Sequence, residues 1–252
     1  MSPDIATALP PSIRIMRSFP PLLLLLSVAC GTPTALPHPG PAPAATPPDM
    51  QDTETCSAEY TAALRCQSRI EARRMAATRG LAARSRDTLL IRGTGGDTLR
   101  LVNVTSAPDR TIDYRYDRYL SDIGSHLVKL SYYEGGSWIL VDARTTGQTQ
   151  LIGPPVVSPR RTRFAAASLD LLAGYNPNGV QVWRLGEEAP RLEWGIDGGN
   201  QWGAAALKWV SEDALDFTRY NQANTPEAAI TARRMRLTLF AEEVTIRSAP
   251  TR

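Results

Sequence analysis

The chain has 252 residues, 42% of them hydrophobic, and a formal net charge of +3. That apolar content is globular rather than disordered, and the charge is too small to point to nucleic acid as a partner. Among 28 basic residues only Lys129 and Lys208 are lysine, so the excess of Arg, with that of Ala and Pro, reads first as coding bias.

The first element is a leader. Arg17 precedes an apolar run, Phe19–Ala29, of 11 residues that ends in small residues before Cys30. This is the layout of a secretory signal over residues 1–29. It is too short for a spanning helix, which needs about 20 apolar residues, and Pro20 and Pro21 disturb a helix interior. Asp4 and the prolines before Met16 suit no signal start, so Met16 is the expected true start. Ser27-Val28-Ala29-Cys30 resembles the lipobox of bacterial lipoproteins, with Ser27 where the strongest form has Leu. The resemblance implies cleavage before Cys30, diacylation of its thiol and acylation of the new amino terminus. Gly31 after the cysteine implies the outer membrane, facing the periplasm. The alternative is an ordinary signal peptide whose cysteine is incidental.

Residues 30–49 hold Pro33, Pro37, Pro39, Pro41, Pro43, Pro47 and Pro48 among Ala, Gly and Thr. Such a stretch buries no core and is expected as an extended tether, at about 3.1 Å per residue.

A basic helical segment is expected over 50–86, because 57–79 lacks Gly and Pro. Arg65, Arg69, Arg73, Arg74, Arg79, Arg84 and Arg86 stand there against Glu71. They suit a solvated face or, in the sharper reading, contact with anionic headgroups or an acidic polymer. Cys56 and Cys66 form an even pair once Cys30 is set aside. Ten residues of helix separate two positions by about 15 Å, and a disulfide needs Cα atoms within about 7 Å. Either the helix is broken between these cysteines or they do not pair with each other.

From 87 to 248 the pattern becomes short strands bounded by Gly, Pro, Asn and Asp. Thr88–Arg92 and Thr98–Val104 flank Gly93-Thr94-Gly95-Gly96-Asp97 as a hairpin, and further strands follow to residue 247. They recur in sets, and Trp138 and Trp183 lie 45 residues apart. That period, with four short strands per unit, suits a propeller. The fold class expected is mainly β: a propeller-like or partly open stack of short antiparallel sheets preceded by one helix. Three sets and a stray hairpin are countable, fewer than the four to eight blades of a closed ring. Val156-Val157-Ser158-Pro159-Arg160-Arg161-Thr162-Arg163-Phe164-Ala165-Ala166 resembles the Ser-Pro-Asp-Gly turn and strand of WD-repeat and Tol-associated propellers. Arg160 and Arg161 replace the Asp and Gly. Gly179–Leu185 resembles the next strand of such a blade.

The residues for chemistry are sparse. His38 lies in the tether, and His126 has no second ligand at metal spacing, so no metal, cofactor or catalytic group is assigned. Gly93-Thr94-Gly95-Gly96 leads into a strand, not a helix, and lacks phosphate-loop geometry. Asp170, Asn176 and Asn178 fit a tight turn better than a calcium site. Trp194, Trp202 and Trp209 lie among glycines, and Tyr132, Tyr133 and Tyr175 adjoin turns between middle strands. Tyr175 and Trp202 are the expected binding surface. The function expected is a lipid-anchored, non-catalytic envelope scaffold for an envelope protein or cell-wall polymer. The alternative is an envelope hydrolase of glycan or peptide acting through Asp170, Glu193, Asp197 or Asp213.

Overall fold

The computed structural model describes Cys56 and residues 59–106, 108–187, 189–222, 230–239 and 244–249. The leader, Cys30, the tether and His38 lie outside the described residues.

One helix, α1 (Tyr60–Ala76), opens the fold. Glu59 caps it, its carboxylate accepting from the Thr61 and Ala62 amides, and Arg73 and Arg74 sit in the last turn, where cations suit the helix dipole. Arg79 and Gly80, both with positive φ, turn the chain out of the helix. Residues 82–86 are therefore not helical, contrary to the expected 50–86 segment: Ala82–Ser85 form strand β1. Cys56 precedes the helix and Cys66 lies within it. Their Cα atoms lie 5.7 Å apart and the two form a disulfide. Arg84 and Arg74 are bound to the body of the protein. Arg84 makes a forked pair with Glu71 at 2.6 and 3.1 Å, and Arg74 pairs with Asp117 at 2.9 Å. Glu71 also accepts from the Tyr116 amide at 2.8 Å, which ties α1 to the sheets.

The rest is four antiparallel sheets in chain order. The first holds β1, β2 (Thr88–Arg92) and β3 (Thr98–Val102). The expected stray hairpin is thus a three-stranded sheet. Ala82–Ser85 is too short, and too lacking in alternation, to register in the sequence. The second holds β4 (Ile112–Leu120), β5 (Ser125–Tyr132), β6 (Gly136–Asp142) and β7 (Gln148–Leu151). The third holds β8 (Val156–Val157), β9 (Arg163–Ser168), β10 (Gly179–Arg184) and β11 (Arg191–Asp197). The fourth holds β12 (Trp202–Ser211), β13 (Ala214–Asn221), β14 (Thr231–Leu239) and β15 (Val244–Ser248). Each four-stranded sheet is a meander, every strand pairing with the next.

Three buried cores stack these sheets in order. Leu89, Ile91 and Leu101 meet Tyr116, Val128, Leu130 and Val141 between the first and second. Leu127, Leu140 and Leu151 meet Phe164 and Ala166 between the second and third. Ala165, Val180 and Val182 meet Trp202, Trp209, Leu215, Phe217 and Leu237 between the third and fourth. Successive strand residues point to opposite faces. Adjacent pairs such as Leu127 with Val128, and Ala165 with Ala166, therefore feed two cores at once, which explains their near-continuous apolar runs.

Among the described residues no core joins the fourth sheet to the first. The outer face of the fourth sheet explains why. Lys208, Asp216, Arg236 and Arg247 are successive partners across its four strands. Asp216 is buried beneath Arg236 and Arg234, at 2.6 and 2.8 Å. A polar face of this kind ends a stack of repeats in water. The fold is mainly β, a propeller-like stack of short antiparallel sheets with a helix in front.

Candidate functional site

The turns between middle strands differ in length. β5 and β6 are joined by Tyr133-Glu134-Gly135, β9 and β10 by residues 169–178. The long loop is organised by one carboxylate. Asp170 accepts from the amides of Ala173, Gly174, Tyr175 and Asn176 and from the Asn176 side chain, at 2.8 to 3.2 Å. The Asn176 amide first, with the others behind it, holds the Asp170 carboxyl below its ordinary range. Asn178 closes the base of the loop: its Oδ1 accepts from the Asp170 amide, and its Nδ2 donates to the Asp170 and Gly199 carbonyls. The Asp170, Asn176 and Asn178 group is therefore a turn, and no cluster of metal-ligating side chains exists among the described residues.

The loop is bolted to the neighbouring sheet. The Gly136 amide donates to Asn176 Oδ1 at 2.6 Å. Gly135 has φ +80, and a Cβ there would lie 2.7 Å from the same oxygen and 3.1 Å from the Tyr175 Cβ. Only glycine fits that approach. Tyr175 is thereby set over the seam, 54% exposed. The negative charge of the nearby Glu134 carboxylate is the chief reason the Tyr175 pKa is raised.

Below Tyr175 is a cleft of about 380 Å³. It runs from the ends of β5, β6 and β7 to β10, lined by Tyr132, Ser137, Gln150, Ile152, Pro177 and Gln181 among others. Its polar groups are connected. The Tyr132 hydroxyl lies 3.1 Å from Ser137 Oγ, to which Gln150 Nε2 donates at 3.3 Å. Gln181 Oε1 accepts from Trp183 Nε1 at 3.2 Å. Among the described residues no charged side chain belongs to the lining.

Trp202 is not at a surface. It is 6% exposed, packed in the third core with Trp209, and Trp194 packs against that core. The Arg219 guanidinium lies 4.6 Å from its ring centre. Glycines flanking a tryptophan read as a loop platform, but Gly198 and Gly203 instead let backbone approach closely: a Cβ on Gly198 would lie 1.9 Å from the Trp202 carbonyl oxygen. The amide and hydroxyl lining of the cleft was missed in the sequence, because Ser137, Gln150 and Gln181 carry no motif and converge only through the stacking of sheets.

The four carboxylates considered for hydrolysis are held elsewhere. Asp170 serves its loop. Glu193 binds Arg163 at 2.6 Å and Arg184 at 2.5 Å, and Arg163 foremost keeps its carboxyl low. Asp213 shares that Arg163 at 3.0 Å, and Asp197 accepts from the Gly199 amide. None of the four lines the cleft. A fifth, Glu212, accounts for the altered turn. It reaches from the β12–β13 turn and accepts from Ser158 Oγ and the Arg160 amide, both at 2.8 Å, and from Thr162 Oγ1. Burial opposes its ionisation, yet these hydrogen bonds keep its pKa low. Arg161 takes the left-handed conformation, φ 59, at the position of the glycine in the resembled motif. The Gly93–Gly96 segment packs on the β6–β7 turn, Thr94 donating to the Ala143 carbonyl and Gly95 to that of Arg144. No helix among the described residues is long and apolar enough to cross a membrane.

No protein-family description matches the sequence, and no curated protein matches it. Two solved structures are similar in outline. One is the crystal structure of the N-terminal domain of Nup159, at 10% identity and TM-score 0.31, over 67% of this chain and 47% of that one. The other is an S. cerevisiae complex of a Dbp5 variant bound to Nup159, a Gle1 variant, IP6 and ADP. It matches at 10% identity and TM-score 0.32, over 67% and 46% of the two chains. The chain spans just under half the length of either match.

Proposed function

We propose that this protein is a lipid-anchored, non-catalytic binding scaffold of the bacterial cell envelope. It is held by Cys30 at the outer membrane on the periplasmic side, and its β domain engages an envelope protein or cell-wall polymer at the Tyr175 cleft. The observation that carries this reading is the lining of that cleft. Aromatic, amide and hydroxyl side chains converge there with no carboxylate among them, whereas glycoside hydrolysis needs two carboxyl groups about 5 to 9.5 Å apart across the bond. The Cys56–Cys66 disulfide supports an oxidising compartment, and the lipobox-like Ser27–Cys30 supports the anchor. Exposed Tyr133 and Leu172 beside Tyr175 add contact surface around the cleft.

The test joins anchor and cleft. Cells fed a clickable palmitate analogue should label wild-type protein in the outer-membrane fraction and leave Cys30→Ala unlabelled. A photo-reactive residue at position 175 should give a discrete adduct that one at Val210, exposed in β12, does not. Label that persists in Cys30→Ala removes the anchor. Turnover of a wall polymer by purified protein, abolished in Glu193→Gln or Asp170→Asn, replaces the scaffold with the hydrolase.

A further inference from the structure

Resting on that binding reading and deepening it, we propose that the Tyr175 cleft is a site for a neutral saccharide. Four observations converge on this chemistry. The volume, about 380 Å³, lies within the range of about 300 to 1,000 Å³ typical of small-ligand sites. The lining carries two tyrosines, Tyr132 and Tyr175, so a ring with an apolar face has an aromatic surface to lie against. The polar groups are a hydroxyl chain and two primary amides, which offer both donors and acceptors, as sugar hydroxyls and acetamido groups require. Gln181 is already oriented through Trp183, and its amide nitrogen has no protein partner among the described residues. The absence of charge from the lining sets the class. An anionic polymer would meet Glu134 at the rim with no cation in the cleft to answer it, and burying an unpaired charge is costly.

The alternative of an extended peptide fits less well. Strand addition needs a free strand edge, and β7, the outermost strand here, has only four residues, with the cleft at its end. The loop also comes prearranged. Asp170 gathers five donors, and Asn176 joins the loop to Gly136, so Tyr175 is in place before a ligand arrives. Preorganisation of this kind lowers the ordering cost of binding.

The test uses the full mature chain in detergent micelles, titrated with tri-N-acetylchitotriose and with maltotriose, followed by ligand-observed NMR and calorimetry. The deacetylated cationic trimer, an oligogalacturonate and a wall stem peptide serve as comparisons. The expected result is saturable binding of at least one neutral trisaccharide, with Kd below about 1 mM and the same at low and high salt. Tyr175→Ala should weaken it about tenfold or more and Gln181→Ala severalfold, both with unchanged thermal midpoints. No saturable binding of either neutral trisaccharide overturns the proposal, as does binding that Tyr175→Ala leaves intact or binding confined to a charged oligomer or the peptide. A protein adduct from position 175 in cells, with no saccharide binding, overturns the saccharide while leaving the scaffold standing.

Discussion

The second and third seams of the stack use the same strand positions and end up as different objects. Between the third and fourth sheets, Trp202, Trp209 and Phe217 fill the space, and Trp209 Nε1 donates to the Val156 carbonyl at 2.9 Å. The seam is a buried core. Between the second and third sheets the buried filling is Leu127, Leu140, Leu151, Phe164 and Ala166. Trp138 and Trp183 stay half-buried at its margin, and the seam opens into the cleft. The third seam buries three large aromatics and the second only Phe164, and it is the second whose edge opens into the cleft. The polar loop network lies at that open edge, so the proposed binding site and the most heavily aromatic core fall on different seams.

The sharpest way to break this division is Trp209→Ala. Removing a buried aromatic costs about 3 to 5 kcal/mol. In a chain of this size that lowers the thermal midpoint by about 10 °C. Trp183, stacked on Phe164 with ring centres 6.1 Å apart but only half-buried, should cost less than half as much on the same change. Calorimetric melts of the two variants decide the point. Equal losses would mean that the two seams contribute alike and that the contrast is one of shape alone.

The first seam differs again, since a buried titratable group touches one of its core residues, Tyr116. His126 is fully buried, with its Nδ1 3.0 Å from the Tyr116 hydroxyl and its Nε2 without a partner among the described residues. Burial lowers its pKa from the ordinary 6.5 to about 4. Because the folded value is the lower one, the unfolded chain takes up a proton first as pH falls. Stability is therefore full above about pH 6.5 and declines toward pH 4, by an amount on the order of 3 kcal/mol. Denaturant titrations at pH 7 and pH 4.5 should show this loss in the wild type and a much smaller one in His126→Gln. Subtracting the variant also removes the carboxylates Asp170, Glu193 and Asp216, whose lowered values place their own losses at more acidic pH. An unchanged pH dependence in the variant would remove His126 as its source.

These regions were not equally legible in the sequence. The strands from Thr88 to Ser248, the two-residue β8 apart, show in their apolar pattern and turn residues, because local pattern and tertiary burial agree there. The four-strand period shows as well, since each sheet is a consecutive meander. Ala82–Ser85 is invisible because four residues of Ala, Arg and Ser have neither β-branching nor alternation, and their place in the sheet comes from pairing with Thr88–Ile91. Trp202 is misplaced by sequence reasoning because glycine neighbours signal loops, whereas here they permit tight packing around a buried ring. Tyr175 is legible, since a tyrosine between Gly174 and Asn176-Pro177-Asn178-Gly179 belongs in an exposed turn. What lies beneath it is not legible, because the lining residues come from four strands and a loop with no common motif.

The smallest expected effect tests whether the open seam owes its binding geometry to the loop network. Asp170→Asn keeps the shape of the side chain but removes its charge and turns one acceptor oxygen into a donor, facing amides that also donate. Charge-assisted bonds to backbone amides are the stronger kind, so the loop should open locally at a cost of about 1 to 2 kcal/mol. Asp170 belongs to none of the three cores, so the global melt should stay within about 1 °C of wild type. Amide exchange at Ala173–Asn176 should speed up about tenfold, with no change at Leu127 or Phe217. If Tyr175 must be held in place to bind, ligand affinity should fall severalfold alongside the exchange. Faster exchange with unchanged affinity would mean that Tyr175 finds its bound position unaided, and that the network serves the seam alone.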